Sequence, residues 1–68
     1  MDGLERLLRI LEDGREHLID ELASRLGWTV SRMRRLVLFL SERGLVRYQR
    51  EDDIVMLDDD LLALLRET

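Results

Sequence analysis

Apolar residues recur along this chain at helical spacing, give way to two short strand-like runs, and then return to helical spacing. Leu4, Leu7, Leu8 and Leu11 stand at i, i+3, i+4 and i+7, the pattern that lines one face of a helix. Asp2 with Glu5 three residues on reads as a capping box, and Asp13-Gly14 as the stop. A second helix runs from Ile19 or Asp20 to Leu26 and presents Leu22, Ala23 and Leu26. Gly27 follows where a left-handed backbone ends a helix.

Thr29 offers an N-cap oxygen to a third helix of about fourteen residues, which Gly44 closes. Met33, Leu36, Val37 and Leu40 cluster on its core face. Residues 45–50 and 54–57 are short apolar or β-branched runs on either side of Glu51-Asp52-Asp53, the pattern of a hairpin. A short strand at 16–18 is placed to pair with it. Asp58-Asp59-Asp60 opens a last helix, where acids suit the positive end of the helix dipole. Leu61, Leu62, Leu64 and Leu65 give that helix a broad apolar side. The order helix, helix, helix, hairpin, helix predicts an α+β, mostly helical domain.

The chain has 68 residues and shows no repeat, low-complexity tract or linker, so one domain over 1–68 is expected. A domain this short buries only about 60% of the surface its unfolded chain exposes. With no Cys and a single His, a disulfide, a thiolate metal site and an imidazole cage are all excluded as staples. Self-association is the remaining route to extra buried area. No run approaches the roughly 20 apolar residues of a membrane span. The N-terminus lacks a basic-then-apolar leader, so a cytoplasmic protein without membrane contact is expected.

Charge sharpens the picture. The net charge is −4, yet residues 25–50 hold seven Arg against Glu42 alone, while seven acids face three Arg in 1–24 and another seven face one Arg in 51–68. A basic middle between acidic flanks excludes a general polyanion binder and confines any nucleic-acid contact to the middle. The types needed for catalysis are missing. There is no Cys nucleophile, no phosphate-cradling Gly-rich loop and no positioned pair of carboxylates. Ser24, Ser31 and Ser41 have His17 as their one possible imidazole base, and nothing in the sequence brings it near them. No enzyme, cofactor, metal or small-molecule substrate is therefore expected. His17 reads as a strand-edge or turn residue, Asp58-Asp59-Asp60 as helix-capping acids, and Trp28 as a packing residue of the core or turn that could also touch a partner.

Residues 19–46, IDELASRLGWTVSRMRRLVLFLSERGLV, resemble the helix-turn-helix core of winged-helix regulators, in particular the MarR-like and ArsR-like groups. Ala23 stands where two helices cross closely, Gly27 four residues later in the turn, and Met33 six beyond that as the first core residue of the third helix. Gly44-Leu45-Val46 is similar to the helix stop that leads into the first wing strand, and IVMLDDDLLALL to the return strand and terminal helix. The resemblance implies a winged helix-turn-helix fold and a small transcriptional regulator that places its third helix in the major groove of double-stranded DNA. Carried over by position, the DNA-facing residues are Thr29, Val30, Ser31, Arg34 and Arg35. Arg34 and Arg35 suit guanine edges. Thr29, Ser31, Arg32 and Arg47 suit phosphates, and Arg50 is a further backbone contact on the first wing strand.

Three features depart from that pattern. The wing tip is Glu51-Asp52-Asp53, which phosphate repels, so the tip is expected to stand off DNA. The flanks are acidic. Leu38 and Phe39 fall outside the core arc, Leu38 about 140° from Met33. They need cover, either from the terminal helix or from a partner. A partner interface of Leu38, Phe39, Leu61, Leu62 and Leu65 follows, with a homodimer as one form of it. The alternative function is accordingly a protein-interaction winged helix without DNA binding, its Arg face solvated or paired with flanking acids.

Overall fold

The computed structural model describes residues 3–67. Helix α1 (Gly3–Leu11) turns Leu7 and Leu11 fully inward. Leu4, expected on the same stripe, stays 41% exposed. The first turn rests instead on Trp28 through Gly3, whose missing side chain leaves room for the indole ring. The cap expected at Asp2 lies outside the described residues. Gly14, whose N–H donates to the Leu11 carbonyl, closes α1 as the sequence suggests.

Helix α2 (Ile19–Leu26) buries Ile19, Leu22, Ala23 and Leu26, and α3 (Val30–Glu42) buries Met33, Val37 and Leu40. The joint between them is a Schellman turn. Gly27 at φ 73° donates to the Ser24 carbonyl, and Trp28 donates to Ala23. The same closure ends α3, with Gly44 donating to Ser41 and Leu45 to Leu40. An L side chain resists that left-handed backbone, so glycine at these two joints sets where each helix stops. Thr29 caps α3 as expected, its Oγ1 accepting the Arg32 N–H at 3.1 Å.

Strand β1 (His17–Leu18) pairs antiparallel with β3 (Ile54–Leu57), which pairs in turn with β2 (Val46–Gln49), giving the order β1-β3-β2. Val46, Val55 and Leu57 face the helices and complete the core. The hairpin turn, lacking Asn-Gly, ends on Asp53 at φ 56°, a conformation Asp tolerates better than most residues. The Asp53 carbonyl accepts the Ile19 N–H at 3.0 Å, which ties the turn to the start of α2.

Helix α4 (Asp59–Glu67) follows Asp58, whose carboxylate accepts the backbone N–H groups of Asp60 at 3.1 Å and Leu61 at 3.3 Å. No residue of α4 is buried. Leu61 and Leu62 are half-buried against the core, whereas Leu64 (59%) and Leu65 are exposed. The helix lies beside the turn after α1, with Leu62 and Arg66 flanking Gly14. The result is the α+β winged helix-turn-helix expected from the sequence. Among the described residues, no helix is long and apolar enough to cross a membrane.

Candidate nucleic-acid interface

The basic segment folds into the end of α2, α3 and the first wing strand, and its arginines differ sharply in their partners. Arg35 projects from the exposed face of α3 beside exposed Ser31 and forms no hydrogen bond or ion pair with another side chain among the described residues. Arg50 is likewise exposed and unpaired among them, at the end of β2. Arg32 stacks over Trp28, its guanidinium carbon 4.0 Å from the ring centre. The stack fixes the charge at the N-terminal end of α3, next to exposed Thr29. Val30 is half-buried and packs against the core, so its side chain belongs largely to the fold.

Arg34 and Arg47 are already committed. Arg34 Nη2 donates to Asp53 Oδ2 at 2.8 Å, and the Tyr48 hydroxyl donates to Asp53 Oδ1 at 2.7 Å. The third helix and the wing are joined through that one carboxylate. Arg34, Leu38, Tyr48, Arg50, Glu51 and Asp53 line an open groove between α3 and the wing. Arg47 pairs with the acids at the start of α4, 3.2 Å from Asp59 and 3.9 Å from Asp58. It is 58% exposed, where such pairs are weak and a phosphate can compete.

The sequence singles out Leu38 and Phe39 correctly as lying outside the core: Leu38 is half-buried in the groove, and Phe39 is 48% exposed with Arg43 stacked 4.3 Å from its ring centre. Helix α4 leaves Phe39 uncovered. Sequence reasoning missed the use of Tyr48 and Asp53. Asp53 reads there only as one of three repelling acids, because its partner is 19 residues away in the chain.

Among the described residues, Asp13 and Asp53 are held below the ordinary carboxyl value of 3.8. Asp13 is held down first by the Arg15 backbone N–H at 2.8 Å and then by His17. Asp53 is held down first by Arg34 and then by Tyr48, and Arg34 is correspondingly raised. As pH falls, the unfolded chain takes up protons at these groups before the folded one does. Their contribution is therefore complete well above 3.8 and is lost as pH drops through and below it. The urea midpoint of the wild type is expected to fall between about pH 6 and about pH 3 by more than that of Asp13→Asn, which has no carboxyl to protonate there. Equal falls would place the acid sensitivity elsewhere.

Residues 4–50 match the family profile of the IclR helix-turn-helix domain, a span that takes in α1, the turn at Gly27, all of α3 and the first wing strand. The chain belongs to the IclR helix-turn-helix family. No curated protein matches it. IclR-type domains and the MarR-like and ArsR-like groups are different families on the same winged fold. Membership makes this IclR-type chain a DNA-binding module of a transcription regulator, and the family is not one of enzymes. The IclR match ends at Arg50, so the turn residue Asp53, β3 and α4 lie beyond it.

Proposed function

We propose that the protein binds double-stranded DNA by laying the exposed face of α3 in the major groove. Arg35 and Arg34 address base edges, Thr29, Ser31 and Arg32 address one phosphate run, and Arg50 with Arg47 addresses the backbone beside it. The observation that carries this reading is the exposed Arg35, unpaired among the described residues, at the centre of a basic helix in an IclR-type fold. Arg32, held on Trp28, adds a phosphate partner whose side chain is already ordered. The wing takes the opposite role at its tip, where exposed Glu51 and Asp52 keep it off phosphate. The chain acts as one cytoplasmic domain.

The test is an anisotropy titration of labelled mixed-sequence duplex at low and near-physiological salt. A dissociation constant of about 10⁻⁴ to 10⁻⁶ M at the higher salt, tightening steeply at the lower, supports the reading. No binding at low salt up to about 100 μM would sink it.

A second reading rests on Phe39, whose 48% exposure on α3 suits a protein surface. In that reading Phe39 and the exposed side of α4 around Leu64 meet a partner, with a second copy of the chain as the first to check by sedimentation equilibrium. A monomer at all accessible concentrations would remove the homodimer.

A further inference from the structure

The acidic residue at the wing turn has a partner 19 residues away in the chain. Asp53 is held from three sides. Its backbone carbonyl accepts the Ile19 N–H, Tyr48 donates to Oδ1, and Arg34 donates to Oδ2. Its φ of 56° is a conformation that most side chains avoid, and the anchored carbonyl keeps it there. The carboxylate is thus a fixed point, and Arg34 is fixed to it. The Arg34 side chain is nevertheless 43% exposed, against 32% for Asp53, so the guanidinium sits at the mouth of the groove. Asp53 engages one terminal nitrogen, Nη2, and an arginine fork carries further N–H donors on its other nitrogens.

From this geometry we infer that Asp53 is a positioning residue that presents Arg34 as a guanine reader, so that the protein's DNA site contains a guanine whose recognition depends on Asp53. This rests on the DNA-binding reading above. The physical reason is the ordering cost. A free arginine loses rotamer freedom when it grips O6 and N7 of guanine, whereas one already tethered by an aspartate has lost it beforehand. The carboxylate also offsets part of the guanidinium charge, which weakens Arg34 for any phosphate and leaves directional hydrogen bonding as its main use. Asp53 therefore lowers non-sequence affinity while raising discrimination. A residue with a merely structural role would change neither in this opposed way. Simple sequestration of Arg34 would lower affinity for every sequence equally.

The experiment begins with selection from a duplex library of randomised centre by the wild-type protein. The most enriched duplex is then labelled and compared with duplexes carrying adenine at each guanine in turn. Wild type, Asp53→Asn, Tyr48→Phe and Arg34→Ala are titrated against each, with circular dichroism confirming that every variant is folded. Asn keeps the shape and the left-handed backbone but removes the charge.

The expected wild-type result is one guanine whose replacement weakens binding roughly ten- to hundredfold, a ratio that Asp53→Asn and Arg34→Ala both reduce to within about threefold. Tyr48→Phe gives a ratio between the two, and Asp53→Asn binds mixed-sequence duplex more tightly than wild type does. Should Asp53→Asn fold and keep the wild-type ratio at the guanine that Arg34→Ala loses, the assignment is overturned and the DNA reading stands. Equal gains for Asp53→Asn on all duplexes would overturn it in favour of sequestration. If Asp53→Asn does not fold, an unchanged ratio in folded Tyr48→Phe overturns it instead. A wild type that binds no duplex overturns both.

Discussion

Replacing Arg34 and Arg35 together by Glu is expected to lower affinity for mixed-sequence duplex by about a hundredfold or more, with the fold intact. Both side chains lie on the exposed half of α3 or at its edge, away from Met33, Val37 and Leu40, so the core loses nothing. Two positive charges become two negative ones where the phosphates approach. The loss of positive charge at the groove also flattens the dependence of log affinity on log salt. Anisotropy at two salt concentrations reads both effects. The Glu at position 34 also faces Asp53, so a modest fall in thermal stability accompanies the loss of binding. Affinity within about threefold of wild type, in a variant shown to be folded, would remove α3 from the interface.

The second large effect concerns stability. Leu22→Ala is expected to cost about 2–5 kcal/mol, because the side chain is wholly buried where α2 meets the rest of the core and the cavity cannot close. A core of this size rarely supplies more than about 3–5 kcal/mol in total. Most molecules should therefore be unfolded at 37 °C. The change is followed as the loss of helical circular dichroism on heating, with the midpoint lowered by about 10 °C or more. Leu64→Ala, on the exposed side of α4, is the matched control and should stay within about 0.5 kcal/mol of wild type. Similar midpoints for the two variants would mean that the core is not where the buried leucines place it.

The fold was largely legible because its signals are local. Helical leucine spacing, the threonine at the start of α3 and the glycines at φ 73° and 74° each act within a turn of the chain, and all three helices of the core lie where those signals put them. Leu4 departed from its stripe because the packing of Trp28 on Gly3, 25 positions apart, takes over the first turn of α1. The interface was legible in composition only. Seven arginines lie in residues 25–50, but which are free depends on neighbours that the folded hairpin and α4 bring in. Arg34 and Arg35 are adjacent and alike in sequence. One is bound to Asp53 and the other is unpaired among the described residues, and the hairpin register decides it. Arg47 likewise meets Asp59 only because the strand turns back beside the start of α4.

The three-stranded sheet has a consequence for life in a crowded solution. Its central strand, β3, is paired on both sides, so only β1 and β2 offer open edges. One of these is two residues long, too short to template another chain. The other carries Arg47 and runs into Arg50, and a strand that tried to add there would meet charged side chains along that edge. A small sheet with one stub edge and one charged edge resists edge-to-edge aggregation, even though the domain has little stability to spare.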